Sequence, residues 1–236
     1  MNPQRLWGSE DGPDADWIRP HVLWLPHNQP HVLAYLREVA NVLAPYTEIV
    51  APVAEPDLHW TIQAAYARGA DGRYADRAVL DLAAQRLQDQ VKDLAPFEVY
   101  LGPPAVSRSA VITRLVPVHE GTGPDPATVL NHRVRDSLEA AGLTMPARAA
   151  AHWGHVTAGY GLVNTDTPEL VARSDDLASA LTHNARRHIA VTVSSVWLVQ
   201  ERQHPEGRYT FERVKELPLA GSQRQGSGQA FPTSRA

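Results

Sequence analysis

The chain has 236 residues and a mass of 25.9 kDa, and 43% of its residues are hydrophobic while 20% are charged. This composition is typical of a globular protein and excludes a chain that is disordered throughout. The absence of cysteine excludes disulfides, thiolate nucleophiles and cysteine-bound metals. A formal net charge of −4 argues against an extended basic surface that binds a nucleic-acid backbone, so we expect no DNA partner. Eleven histidines remain as carriers of chemistry near neutral pH.

The two ends of the chain differ in composition from its middle. Residues 1–19 are acidic and lack apolar periodicity, which predicts a flexible N-terminal arm without the apolar core of a secretory signal. Residues 220–236 are mostly Gly, Ser, Gln and Arg, which predicts a disordered tail. No apolar run approaches the length of a membrane-spanning helix. We therefore expect a cytoplasmic protein with no membrane partner, folded over residues 20–219.

In chain order, the first half of this region is predicted to form strand, helix, strand, helix and strand. Apolar runs indicate the strands, and apolar residues at helical spacing indicate the helices. These elements are a strand at 21–25, a helix opened by Asn28 and Pro30 and ended by Pro45, a strand at 58–64, a helix at 75–95, and a strand at 97–101 closed by Gly102-Pro103-Pro104.

The second half is predicted to repeat this order with one strand added. Its elements are a strand at 110–118, a helix opened by Asp125-Pro126, a strand at 152–158, a helix opened by Thr167-Pro168, a strand at 189–199, and a hairpin partner at 208–217. The repetition predicts an α+β fold of two pseudo-symmetric lobes, at about 20–105 and 106–219. In this prediction each lobe is an antiparallel sheet with outer helices, and the lobes flank a central cleft.

A His-x-Thr triplet lies on the second predicted strand of each half. His59 follows the helix-opening Pro30 by 59 − 30 = 29 residues, and His155 follows Pro126 by 155 − 126 = 29 residues. Because side chains alternate along a strand, the His and the Thr of each triplet share one face. A pseudo-twofold axis would bring the two triplets together around one cleft. The four residues are His59, Thr61, His155 and Thr157.

Two histidines and two threonines suit the cleavage of a phosphoester. A neutral imidazole can take a proton from the attacking water while a protonated one gives a proton to the leaving oxygen, each contributing about 10²–10⁴-fold. Threonine hydroxyls can donate hydrogen bonds to the non-bridging oxygens, where charge develops. Because these groups supply acid, base and anion stabilisation, we expect neither a metal nor a cofactor.

The twin His-x-Thr motifs resemble those of the 2H phosphoesterase superfamily, especially its bacterial 2′-5′ RNA ligase-like and RNA 2′,3′-cyclic phosphodiesterase members. After the second motif, Tyr160 stands where that family has a tyrosine, whereas Gly154 stands where a proline is common. The resemblance implies a LigT-like fold covering residues 20–219 and a role in RNA processing. It also implies metal-independent hydrolysis of a 2′,3′-cyclic phosphate or related 2′-linked phosphodiester, with reversible 2′-5′ ligation as the opposite direction.

The resemblance assigns catalysis to His59 and His155 and phosphate binding to the threonine of each motif, Thr61 and Thr157. It leaves open which histidine is the acid, with a weak preference for His155 as the group that activates water. Tyr160 is a candidate for stacking on a base, with packing as its alternative role. The expected partner is a nucleotide or an RNA end with a 2′,3′-cyclic phosphate, bound by a monomer.

Two other functions fit some of the same residues. The first is a non-catalytic module that binds a nucleotide or an RNA end on the same fold. The second is a metal hydrolase that uses His152 and His155, whose His-x-x-His spacing suits a metal on a helix. On a strand, however, residues three apart point to opposite faces, which argues against the metal site.

Overall fold

The computed structural model describes residues 1, 18–65, 76–118, 124–146, 154–185, 187–204 and 208–221. Its strands are β1 (Ile18–Trp24), β2 (Val50–Pro52), β3 (Trp60–Ala64), β4 (Phe97–Val106), β5 (Ala110–Pro117), β6 (His155–Gly161), β7 (Ile189–Val193), β8 (Ser195–His204) and β9 (Arg208–Pro218). Its helices are α1 (Pro30–Leu43), α2 (Arg77–Val91), α3 (Pro126–Ala140) and α4 (Pro168–Asn184), with short 3₁₀ helices at Ala44–Tyr46 and Glu55–Asp57.

Side chains at the helix starts explain where three of these helices begin. The carboxylate of Asp76 accepts a hydrogen bond from the Ala78 N–H, and the carboxylate of Asp125 accepts one from the Ala127 N–H. Thr167 caps α4 in the same way. Proline occupies the first turn of α1, α3 and α4, where it has no hydrogen bond to lose. The helix starts predicted at Pro30, Asp125-Pro126 and Thr167-Pro168 are therefore confirmed, although the N-cap of α1 is Gln29 and not Asn28.

The described strands form one antiparallel sheet in the order β7-β4-β5-β6-β3-β1-β8-β9, with β2 added to β6. Only Ser194 separates β7 from β8 in the chain, yet the two strands lie toward opposite ends of this order. Two consecutive Cα–Cα steps span less than about 8 Å. The sheet therefore curls until its ends approach each other, and the α+β antiparallel fold is confirmed.

Several element boundaries were predicted wrongly; for example, the helix predicted at 75–95 is Arg77–Val91, and the strand predicted to end at 158 continues to Gly161. The strand predicted at 189–199 is two strands in the structure, since the chain changes its partner strand at Ser194. The β-branched run shows no break there, so the sequence pattern did not indicate the division. The strand predicted to end before Gly102 continues to Val106. Its ladder with β5 is irregular after Leu101 and resumes where Pro104 pairs with Thr113. A bulge therefore takes the place of the predicted strand end.

The sequence halves exchange strands in the sheet. β4 follows the first motif in the chain but lies beside β5, while the C-terminal β8 and β9 lie beside β1.

β1 begins at Ile18, within the predicted arm, and Met1 accepts a hydrogen bond from the Thr165 N–H at 2.8 Å. At the other end, the Ala220 and Gly221 N–H groups bond to the Lys92 and Leu94 carbonyls.

The four helices pack against one face of the sheet, where Trp24, Trp60 and Leu130 belong to the large core. The other face has a smaller cluster of Leu23, Leu25 and Val199, with Trp197 and Phe211 packed against it. We call this second face the site face. No helix in the described part of the chain is long and apolar enough to cross a bilayer.

Candidate active site

The two motif strands, β3 and β6, are neighbours in the sheet. Trp60 pairs with Val156, and both side chains are buried in the core on the helix side. Because side chains alternate along a strand, the residues on either side of this pair point to the site face. These residues are His59, Thr61, His155 and Thr157.

The register also sets which motif residues are neighbours. Extending the Trp60–Val156 pair by one residue in each direction places His59 beside Thr157 and Thr61 beside His155. The two histidines are then diagonal neighbours, which lie about 7–8 Å apart in a regular ladder. The fold thus brings all four predicted residues to one place on the site face.

A β-bulge follows each motif at the same position. Between β1 and β3, the register skips Ile62, the residue directly after Thr61. Between β5 and β6, it skips Ala158, the residue directly after Thr157. Bulges redirect the side chains that follow them and are frequent beside active sites. The two halves therefore repeat a backbone irregularity as well as a residue pattern.

The second bulge determines where Tyr160 points. If side chains alternated strictly after Thr157, Tyr160 would point toward the helices. The extra residue of the bulge instead places Tyr160 on the site face, where its ring centroid lies 5.7 Å from that of Tyr209. Burial raises the pKa of Tyr160 well above its ordinary value, and the nearby carboxylate of Glu201 adds to this rise. Burial likewise raises the pKa of Tyr209 to about 12. Both hydroxyls stay protonated near neutral pH and can donate hydrogen bonds, but cannot act as bases.

His59 is enclosed, with its side chain 12% exposed. Its Nδ1 lies 2.7 Å from the carbonyl oxygen of Asp57, which can only accept, so Nδ1 carries a proton and Nε2 is the nitrogen that exchanges one. Phe211 meets the imidazole edge-on at 5.7 Å. The Oε2 atom of Glu201 lies 3.7 Å from Nε2. Glu201 and Phe211, which pair with each other in the β8–β9 hairpin, thus cover His59.

His155 has a different environment. It is the first residue of β6 and is exposed to solvent. Its register partner on β5 is Arg114, which is also exposed. The candidate site is therefore asymmetric, with an enclosed histidine near a carboxylate and an exposed histidine whose register partner is an arginine.

Gly154, the residue that departs from the resemblance, lies against Trp60. A Cβ atom added there would be 2.8 Å from both Cε2 and Nε1 of the buried indole. Proline also carries a Cβ, so the bulk of Trp60 accounts for glycine at this position.

We expect Gly154→Ala to lower the free energy of unfolding by about 1–3 kcal/mol, because the added methyl group overpacks the core against Trp60. Urea denaturation measures this change. The same substitution in a Trp60→Phe background should cost less, since phenylalanine lacks the indole Nε1 and the ring atoms beside it. An equal cost in both backgrounds would show that the indole contact is not the cause.

The sequence analysis did not identify Glu201, Arg114 or the hairpin aromatics Tyr209 and Phe211. These residues come from other strands, and their distance in sequence from the motifs follows no recognisable pattern. Arg187 pairs with Glu38 and lies over the Tyr35 ring. His152, and with it the alternative metal site, lies outside the described residues. Within the described ranges, no group of three or more His, Cys, Asp or Glu residues could hold a metal ion.

Solved structures share this curled antiparallel sheet with outer helices. The crystal structure of TT0787 of Thermus thermophilus matches with a TM-score of 0.58 at 15% identity, covering 86% of this chain and 98% of that one. E. coli LigT complexed with 3′-AMP matches with a TM-score of 0.55 at 16% identity and the same coverage. A crystal structure described as a phosphoesterase also reaches 0.55 at 15% identity, again with 86% and 98% coverage.

No family model and no curated protein matches the sequence. The resemblance drawn from the two motifs is confirmed for the fold by these structures.

Proposed function

We propose that this chain is a metal-independent phosphodiesterase of the 2H superfamily. It hydrolyses a 2′,3′-cyclic phosphate, or a related 2′-linked phosphodiester, of RNA or a nucleotide. The observation that carries this proposal is the meeting of both His-x-Thr motifs on the site face of paired strands, each followed by a bulge at the same position. In this proposal residues 20–219 form one bilobal domain around that site.

The four side chains divide the steps of the reaction. One imidazole removes a proton from water as the water oxygen bonds to phosphorus. The bond to the leaving ribose oxygen breaks as the other imidazole gives that oxygen a proton. The hydroxyls of Thr61 and Thr157 donate hydrogen bonds to the non-bridging oxygens, where negative charge builds up. Proton exchange with solvent then restores both histidines.

Two observations support a nucleotide as the substrate. The E. coli LigT structure, similar in fold, was determined with 3′-AMP, a nucleotide that carries a phosphate on its ribose. In this chain, Tyr160 and Arg114 lie on the site face near the motifs and offer a phenol donor and a cation. Aromatic rings and guanidinium groups commonly contact unpaired nucleotides.

We expect the purified chain to open 2′,3′-cyclic AMP, or a short RNA ending in a 2′,3′-cyclic phosphate, to a single phosphate monoester. The rate should be unchanged in excess EDTA, because protons and hydroxyl donors do the chemistry. Chromatography of the products measures both results, with the His59→Ala/His155→Ala double variant as the blank. Binding without turnover would favour the non-catalytic module, and loss of activity in EDTA would favour a metal hydrolase.

A further inference from the structure

The site face continues beyond the motif strands across β5, β4 and β7. Buried and exposed residues alternate along β4 and β7, and the buried ones belong to the core that the helices cover. The exposed ones therefore lie on the opposite side of the sheet, which is the site face. We call this exposed area the outer platform. Its side chains are Arg114, Val116, Glu98, Tyr100, Ala190 and Thr192.

The outer platform adjoins the candidate site through Arg114, the register partner of His155. Two residues further along β5, Val116 pairs with Tyr100 of β4, which in turn pairs with Ala190 of β7. Paired residues of an antiparallel ladder share a face, and so do residues two apart on one strand. A continuous strip of side chains therefore runs from His155 to the last strand at this end of the sheet.

Two large apolar side chains are exposed at the centre of this strip. Tyr100 is 40% exposed and Val116, directly across the ladder, is 42% exposed. The rings of Tyr100 and His188 make an edge contact, with their centroids 6.3 Å apart. Exposed aromatic rings on open sheets are the groups on which RNA-binding domains stack unpaired bases. The guanidinium of Arg114, on the same strip, can bind a phosphate.

We propose that the outer platform binds the RNA strand that leads to the cyclic phosphate, with a base stacked on Tyr100 and a backbone phosphate held by Arg114. This inference rests on the proposed function and deepens it, because it makes the end of a single-stranded RNA the substrate in place of a free nucleotide. Two strands and two residues separate Tyr100 from His155, which is about 12 Å in a flat ladder. This separation favours the base of the neighbouring nucleotide over that of the reacting one.

The charges on the outer platform limit the length of RNA that it can bind. Glu98 lies two residues from Tyr100 on β4, on the side away from Arg114, and it is exposed. Its carboxylate repels a phosphate, whereas the guanidinium nearer the site attracts one. The strip is therefore favourable to RNA only near His155, which suits the one or two nucleotides that precede the cyclic phosphate.

A protein partner fits this surface less well. Protein interfaces are anchored by clustered aromatic and arginine side chains, and Tyr100 is the only aromatic residue among the six of the outer platform. The adjoining strand edge is also occupied. The Gln29 side chain donates to the Thr192 carbonyl oxygen at 2.7 Å and accepts from the Thr192 N–H at 3.2 Å. A strand from a second copy cannot pair with those two groups, so the observations favour RNA.

The test measures the binding of a fluorescein-labelled RNA of five nucleotides that ends in a 3′-phosphate, which resembles a product and is not consumed. In anisotropy titrations at low salt, Tyr100→Ala should raise the Kd by about 5–150-fold, the usual effect of losing one stacked base. Tyr100→Phe keeps the ring and should bind as the natural chain does. Both positions of the tyrosine variants are the same exposed site, so we expect both proteins to fold.

Arg114→Gln should also raise the Kd, and it should lower the slope of log Kd against log salt concentration by about one, because one phosphate contact is lost. Arg86→Gln, which changes an exposed arginine on α2, is the matched control and should alter neither quantity.

Binding does not need turnover, so these titrations test the outer platform even if the proposed reaction is wrong. Equal Kd values for Tyr100→Ala and Tyr100→Phe, or no binding by the natural chain, would overturn the inference. Self-association in sedimentation velocity that Tyr100→Ala abolishes would also overturn it. RNA that is bound through Tyr100 but never opened would support the inference and count against the proposed function.

Discussion

His155→Ala should lower kcat for the cyclic phosphate by about 10²–10⁴-fold, because it removes one of the two proton-transfer groups. His155 is exposed at the start of β6, so its loss should leave the free energy of unfolding nearly unchanged. His59→Ala should lower kcat over the same range. It should also lower the free energy of unfolding, because it removes an enclosed ring beside a buried carboxylate. Steady-state kinetics and urea denaturation separate the two effects.

His183→Ala is the matched control, since His183 is an exposed histidine on α4 whose Nδ1 lies 2.7 Å from the Ser179 carbonyl oxygen. It should leave kcat unchanged. The double variant at His59 and His155 should be little slower than the slower single variant, because the two groups act in one step. Full activity in both single variants would contradict the mechanism.

A substrate with a better leaving group distinguishes the acid from the base. A p-nitrophenyl phosphodiester releases its phenolate without needing a proton, so the acid has less work to do. His59→Ala should therefore lose less activity on this substrate than on the cyclic phosphate, while His155→Ala should lose as much on both. The reverse result would assign the acid to His155.

Local patterns in the sequence were enough to predict most of the elements. Helix starts could be predicted because caps such as Asp125 and Thr167 act on N–H groups within three residues of themselves. The shared face of His59 and Thr61 followed from strand alternation alone. Such signals depend on neighbours along the chain, and these are fixed before the fold forms.

Long-range partners could not be predicted in this way. The run at 189–199 gives no sign that Ser194 separates two strands toward opposite ends of the sheet order, because the segments before and after Ser194 both have the composition of a strand. Glu201 reaches His59 only because the sheet curls, and a single glutamate in a strand has no pattern to mark it. The bulge at Ala158, which turns Tyr160 toward the site, likewise depends on the partner strand β5.

The threonines allow a test that separates charge stabilisation from proton transfer. Thr61→Val and Thr157→Val should each lower kcat by about 10²–10³-fold, because valine keeps the β-branched shape but removes a donor aimed at the phosphate oxygens. Their basic and acidic limbs in kcat/KM against pH should stay where they are, since neither change touches an imidazole. Thr113→Val is the matched control. This threonine lies on the neighbouring strand β5, and its hydroxyl oxygen is buried without a hydrogen-bond partner among the described residues.

The Thr113→Val variant should keep full activity and be as stable as the natural chain or more so, because it removes an unsatisfied buried hydroxyl. Thermal denaturation and kcat on the cyclic phosphate measure the three variants side by side. If Thr61→Val and Thr157→Val were as active as Thr113→Val, the hydroxyls on the site face would be packing groups. The stabilisation of the transition state would then have to come from other donors, such as Arg114 and Tyr160 on the same face.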